Sequence, residues 1–129
     1  MIITRATSNL GNADYVVGKE IDTGTYWVEG ESKKPIYRKI FRGTTALDGT
    51  QGVVFTLENV NLDIIVSLNC MMKSAEGATW RPVPNTYYAN QTWDCNIYFN
   101  TTDNTIILGF GSNHNGTKEV IVIIEYTKS

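Results

Sequence analysis

Apolar and polar residues alternate along much of the chain, and this alternation predicts β-strands. In the longest alternating run, Leu62–Met72, every second residue is apolar, which predicts a strand with one buried face. A second run, Trp93–Phe99, is followed by the turn Thr101–Asn104 and by Ile106–Phe110, and this order predicts a hairpin. The run Val120–Ile124 is apolar at every position, as in a strand that is covered on both sides.

Three shorter candidate strands precede these runs, namely Tyr26–Val28, Ile36–Phe41 and Val53–Leu57. Strands that recur every 8 to 12 residues or so, with turn residues between them, are typical of antiparallel all-β folds. We therefore predict at least seven strands, little helix, and an antiparallel β-sandwich or jelly roll that spans residues 15–129. The polar segment 1–14 has no sustained periodicity and is predicted to be an N-terminal arm or tether.

The charge of the chain disfavours nucleic acid as a partner. There are 11 Lys and Arg residues against 13 Asp and Glu residues, for a net charge of -2. A surface that follows a phosphate backbone needs an excess of basic residues instead. No apolar run approaches the ~20 residues of a membrane-spanning helix, so no membrane partner is expected either.

The sequence contains no recognisable catalytic template. Its single histidine, His114, lies in a Gly- and Asn-rich stretch and is interpreted as a turn residue. The carboxylates that a glycosidase would need are interpreted as solvated surface charges, and phosphate-binding or nucleophile motifs are missing. We predict no catalytic residue, no metal site, no cofactor and no enzymatic activity. A small carbohydrate-active enzyme is the least favoured alternative.

The two cysteines, Cys70 and Cys95, lie in apolar alternating runs and do not have the spacing of metal ligands. We predict that both are small buried hydrophobic residues. The sequence leaves open whether a disulfide joins them.

The stretch Trp80–Tyr88 concentrates aromatic rings around two prolines, which interrupt strand pairing and predict a loop. Aromatic faces stack on the apolar faces of sugar rings, while amide and guanidinium groups bond to the hydroxyls. This composition indicates a glycan-binding site, for which the candidate residues are Trp80, Arg81, Asn85, Tyr87, Tyr88 and Trp93. Alternatively, these aromatic side chains fill the end of the sandwich or pack against a neighbouring chain.

Two parts of the sequence, far apart along the chain, form a familiar pattern. The first consists of three short segments and the second of one, namely Tyr15–Gly18, Trp27–Gly30, Lys34–Lys39 and Ile124–Lys128. Their residue types and order resemble the C-terminal all-β module of many phage and prophage virion proteins. The resemblance extends over residues 15–129. This chain has additional residues at Asp22–Tyr26 and at Glu31–Lys33, where we expect a longer loop in place of the tight turn of the family.

The resemblance implies a non-enzymatic virion protein of the tail fibre, baseplate or head fibre type, located in the virion and often trimeric. The expected partners are two further copies of the chain, other virion proteins and a host-surface glycan. The apolar run of residues 120–124 has more apolar positions than one core needs, so Ile121 and Ile123 are candidate oligomer-interface residues. A covering loop or sheet of the same chain is the alternative. The alternative function is a capsid or baseplate accessory protein that binds only other virion proteins.

Overall fold

The computed structural model describes residues 14–48, 51–73, 79–83, 95–110 and 115–129. These residues form eight β-strands and no helix, which confirms the predicted all-β fold class. The strands are β1 (Ile21–Glu29), β2 (Ser32–Asp48), β3 (Gln51–Thr56), β4 (Leu62–Lys73), β5 (Trp80–Val83), β6 (Cys95–Asn100), β7 (Thr105–Phe110) and β8 (Asn115–Lys128).

The strands form two antiparallel sheets, an arrangement consistent with a β-sandwich. The larger sheet has the order β1-β2-β8-β4-β5, so β8 is its central strand and β1 and β5 are its edges. The smaller sheet has the order β3-β7-β6. The predicted hairpin is confirmed for β6 and β7, which pair antiparallel from Cys95 opposite Phe110 to Asn100 opposite Thr105.

Between Val120 and Glu125, the central strand β8 alternates between fully buried and half-buried residues. Val120, Val122, Ile124 and Tyr126 are completely buried, whereas Ile121 and its odd-numbered neighbours up to Glu125 are half-buried. Since successive side chains point to opposite faces of a sheet, one face of β8 lies in the core and the other is only partly covered. The prediction that the run Val120–Ile124 is covered on both faces is therefore wrong for the face with Ile121 and Ile123, which is only partly covered.

The chain divides into two compact units, and β2, β4 and β8 contribute residues to both. The first unit consists of the described residues up to Ile40, together with Val60–Leu68 and Ile123–Ser129. The second unit consists of the described residues within Phe41–Asn59 and Asn69–Val122. In the second unit, Leu57, Ile106 and Leu108 are almost completely buried.

Within the second unit, an aromatic stack contributes to packing between the two sheets. The rings of Phe41 on β2 and Phe55 on β3 stack with their centroids 4.7 Å apart. Gly43 lies beside this stack, because a Cβ atom added there would be in ordinary contact with the Phe55 ring, at 3.6 Å. Cys70 and Met72, on the inner face of β4, are buried, which confirms the predicted burial of Cys70. The side chain of Cys95 lies outside the described residues.

In the first unit, β1 and β2 form a hairpin with a two-residue turn at Gly30 and Glu31, because Glu29 pairs with Ser32. Gly30 has a φ of +60°, a positive value that a type II′ turn requires at its first central position and that favours glycine. The expectation of a longer loop at Glu31–Lys33 is therefore wrong. Ser32 and Lys33 form hydrogen-bonded strand instead, and Glu31 lies in the tight turn.

The other extra segment, Asp22–Tyr26, lies within β1 and forms an irregularity in its pairing with β2. The carboxylate of Asp22 accepts a hydrogen bond from the backbone N–H of Gly24, whose φ is +75°. The hydroxyl of Thr23 donates to the carbonyl of Ile36 on β2 at 2.7 Å. These local bonds satisfy polar groups where the extra residues disrupt the ladder.

The prediction of a loop over the whole of Trp80–Tyr88 is wrong for its first four residues, which form β5 and pair with β4. Pro82 lies opposite Met71 in this pairing. Since β5 is an edge strand with a single neighbour, it can tolerate a residue that lacks an N–H donor. The second half of the stretch, residues 84–88, lies outside the described residues.

Candidate functional site

The candidate glycan residues Trp80 and Arg81 lie next to each other on the edge strand β5, and both are exposed. As neighbours on a strand, they point to opposite faces of the sheet. The ammonium group of Lys73, on β4, lies 5.7 Å from the centroid of the Trp80 ring. The other four candidates, Asn85, Tyr87, Tyr88 and Trp93, lie outside the described residues, so their role in glycan binding stays a prediction.

The candidate interface residues Ile121 and Ile123 lie on the half-covered face of β8. On β4, the described side chains of the first unit are also incompletely covered. The four apolar residues on one face of that segment are half-buried, namely Leu62, Ile64, Val66 and Leu68. Apolar surface therefore remains accessible on both faces of the larger sheet in this unit.

The two parts of the sequence that carry the family resemblance meet in the first unit. Arg38 on β2 bonds to Glu125 on β8, with its Nε and Nη2 atoms 3.0 Å and 2.9 Å from Oε2. The other carboxylate oxygen of Glu125 accepts a hydrogen bond from the Ser67 hydroxyl on β4 at 3.2 Å. Three adjacent strands are thus joined by one polar network. Both charged side chains are largely shielded, since Arg38 is 14% exposed and Glu125 is 25% exposed.

Arg38 also fixes the segment that precedes β1. Its Nη1 atom donates to the backbone carbonyl of Asp14 at 3.3 Å, and its guanidinium carbon lies 4.4 Å from the centroid of the Tyr15 ring. The backbone N–H of Gly18 donates to the carbonyl of Ile40 at 2.7 Å. The first short segment of the resemblance is therefore held against the strand that contains the third.

A second polar cluster surrounds Tyr126, whose hydroxyl donates to Glu20. Lys128 donates to the same carboxylate at 2.6 Å, and its ammonium group lies 4.2 Å from the centroid of the Tyr37 ring. Burial by itself raises the pKa of Glu20, but the bonds from Lys128 and Tyr126 outweigh it and leave the pKa below the usual 4.5. Burial and the adjacent Glu20 both raise the pKa of Tyr126.

A small cleft opens on the first unit between the β1–β2 hairpin and the start of β4. Its volume is about 180 Å³, and it is lined by Trp27, Glu29, Ser32, Lys34, Asp63 and Ile64. The ammonium group of Lys34 bonds to Asp63, which also accepts a hydrogen bond from Thr127 at 3.2 Å. The bond from Lys34 keeps the pKa of Asp63 below its usual 3.8.

Sequence reasoning did not identify this cleft. Trp27 and Lys34 belong to the pattern that resembles virion modules, whereas Asp63 lies on the polar face of the predicted strand Leu62–Met72, where a carboxylate is expected to be solvated. No local signal connects Asp63 to Lys34, because they are 29 residues apart and meet only through the order of the strands. The one available hint is Glu29, which lies two residues after Trp27 and directly beyond the predicted strand Tyr26–Val28, since residues two apart on a strand share a face.

Among the described residues, no group of three His, Cys, Asp or Glu side chains could hold a metal ion. The described part of the chain also contains no helix of the length and hydropathy needed to cross a membrane. Comparison of the chain with known protein families, with curated proteins and with solved structures finds no match.

Proposed function

We propose that this chain is a non-enzymatic structural protein of a bacteriophage or prophage virion. It acts as a fibre- or baseplate-type module that assembles symmetrically, as a trimer, and displays loops that bind a host-surface glycan. The observation that carries this proposal is the meeting of the two sequence stretches that resemble virion modules, through the bonds between Arg38 and Glu125.

The contacts of the residues that carry the resemblance support a role for them in the fold. Arg38 joins the segment before β1 to β8, and Lys34 joins β2 to the start of β4. The Tyr37 and Tyr126 rings pack with their centroids 6.2 Å apart. Residues that connect neighbouring strands in this way determine architecture rather than a particular ligand. The resemblance therefore supports a shared module and leaves ligand recognition to other residues.

Symmetric assembly is supported by the half-buried apolar residues of the larger sheet. Ile123 and the apolar row that runs from Leu62 to Leu68 on β4 are incompletely covered in the single chain. Removing apolar surface from water contributes about 25 cal/mol per Å². A second and third copy of the chain would supply that cover, and closed symmetry limits the assembly to a defined number of copies.

Display of a glycan-binding loop is supported by the location of β5. Trp80 and Arg81 are exposed at the edge of the larger sheet, immediately before the remainder of the aromatic stretch. Single sugar contacts are weak, but simultaneous binding by three copies raises the overall affinity without new contacts.

A second candidate function, that of a virion accessory protein without glycan binding, is favoured by the exposed apolar residues on β1. Tyr26 is 49% exposed and Val28 is 64% exposed on this edge strand. Exposed apolar side chains on a sheet edge are suited to contact with another protein.

A glycan array tests the two functions against each other. The wild-type chain is expected to bind at least one host-surface glycan, and Trp80→Ala is expected to weaken the signal while keeping the wild-type circular dichroism spectrum. Tyr98→Ala is the matched control, since Tyr98 is a similarly exposed aromatic residue on β6. A wild-type chain that binds no glycan but binds another virion protein would support the accessory function instead.

A further inference from the structure

The cleft lined by Trp27 and Asp63 combines an aromatic platform with fixed polar groups. We propose that this cleft binds a single uncharged hexose ring and is a sugar subsite separate from the Trp80 region. The inference rests on the glycan-binding role proposed above and adds a location and a class of sugar to it. It is carried by three properties of the cleft, namely the fixed indole, the anchored carboxylate and the balance of charge.

Trp27 is held in place without a ligand. Its indole N–H donates to Glu29 Oε1 at 3.1 Å, and both residues lie on the same face of β1. The residue is nevertheless 36% exposed. An indole whose polar atom is already bonded needs no polar partner from the ligand. Its apolar face is available to stack on the C–H face of a sugar ring.

Asp63 is anchored on the opposite side of the cleft. Its Oδ2 atom accepts bonds from Lys34 and from the Thr127 hydroxyl, and that hydroxyl in turn accepts from the backbone N–H of Ile64 at 3.1 Å. Within the described part of the chain, Oδ1 of Asp63 has no hydrogen-bond partner. A carboxylate oxygen that is already oriented accepts a sugar hydroxyl at little cost in side-chain ordering.

The charges of the cleft select against acidic sugars. Glu29 and Asp63 carry two negative charges, and Lys34 supplies one positive charge that is already bonded to Asp63. A sialic or uronic acid would place a third carboxylate beside these two without an uncommitted cation, which is unfavourable. An uncharged ring has hydroxyl groups that donate to the carboxylates and accept from Lys34.

The size of the cleft limits what it binds. At about 180 Å³ it is smaller than the roughly 300 Å³ at which pockets for drug-sized ligands begin, so it accommodates one ring rather than an oligosaccharide.

The test follows the indole N–H resonances of the full chain by NMR while methyl glucoside, methyl galactoside, methyl mannoside or sialic acid is added. The chain has three tryptophans, and the resonance of Trp27 is assigned from its loss in Trp27→Phe. We expect at least one methyl hexoside to shift the Trp27 resonance saturably and sialic acid to leave it unchanged. Asp63→Asn is expected to weaken the binding of that hexoside at least fivefold, and Trp80→Ala to leave it unchanged.

Three results would overturn the inference: no methyl hexoside shifts the Trp27 resonance, sialic acid shifts it as strongly, or Asp63→Asn binds as the wild type does. If Trp80→Ala abolishes binding to the glycan array and Trp27→Ala leaves it unchanged, the cleft is not a sugar subsite, and the proposed glycan-binding function still stands. If the wild-type chain binds no glycan at all, the glycan-binding function itself is rejected.

Discussion

Arg38 and Glu125, 87 residues apart in sequence, form a shielded ion pair that joins β2 to the central strand β8. Each belongs to a different stretch of the pattern that resembles phage virion modules. Around them, Ser67 bonds to the carboxylate from one side, and Tyr15 lies over the guanidinium group from the other. These contacts join β2, β8 and β4 to the segment that precedes β1.

Replacing Glu125 by Gln should destabilise the protein substantially. The substitution removes a charge from a pair in which Arg38 is only 14% exposed, and hydrogen bonds to charged groups contribute about 1.5–3 kcal/mol. We expect the free energy of unfolding, measured in urea at a fixed protein concentration, to fall by about 2 kcal/mol.

The matched control is Glu119→Gln, which weakens the pair between Glu119 and Arg42 on the same two strands. Because Arg42 is 57% exposed, that pair should contribute less than about 1 kcal/mol. Equal losses in the two variants would show that the Arg38–Glu125 pair has no special role in the fold.

Glu20 should make stability depend on pH in the acidic range. Its pKa in the folded chain lies below the usual 4.5, because the bonds from Lys128 and Tyr126 outweigh the effect of burial. A carboxyl group with a lowered folded pKa stabilises the protein above its unfolded pKa, and this contribution is lost as the pH falls through the folded value. The free energy of unfolding should therefore decrease below about pH 4.5, and Glu20→Gln should reduce that slope. Parallel pH profiles for the wild type and Glu20→Gln would disprove this role.

Gly30 should be the sensitive position of the β1–β2 turn. Its φ is +60° and no atom lies within 4 Å of an added Cβ, so conformation rather than space requires glycine. Gly30→Ala should lower the free energy of unfolding by about 1–2 kcal/mol, measured by urea denaturation. Glu31→Ala, in the same turn, should change it by less than about 0.5 kcal/mol. If the Gly30→Ala variant unfolds at the same urea concentration as the wild type, the structure of this turn is contradicted.

The strands were largely predictable because alternation depends on short-range sequence and on one buried face. The run from Leu62 to Met72 coincides almost completely with β4. The stretch beginning at Trp80 was misjudged because Pro82 disfavours a strand only where the strand has two neighbours, and the edge location of β5 is a property of the whole sheet. The cleft was missed for a similar reason, since Asp63 and Lys34 meet only once the strands are ordered.

Ile123→Lys should dissociate the proposed trimer without unfolding the chain. Ile123 is half-buried in the single chain, so a lysine there can extend to solvent, whereas in an interface its charge would be buried without a partner. We expect a monomer by light scattering with an unchanged circular dichroism spectrum. Thr102→Lys, on the exposed turn between β6 and β7, adds the same charge and should leave the assembly intact. An Ile123→Lys variant that keeps the wild-type mass would exclude this residue from the interface.

The molar mass of the wild-type chain in solution tests the proposed symmetric assembly most directly. Sedimentation equilibrium over a range of concentrations should give three times the 14.4 kDa of the chain, because the half-buried apolar residues on β4 and β8 gain cover from two further copies. A mass of 14.4 kDa that persists at the highest concentration would contradict the proposal that this chain is a self-assembling virion module.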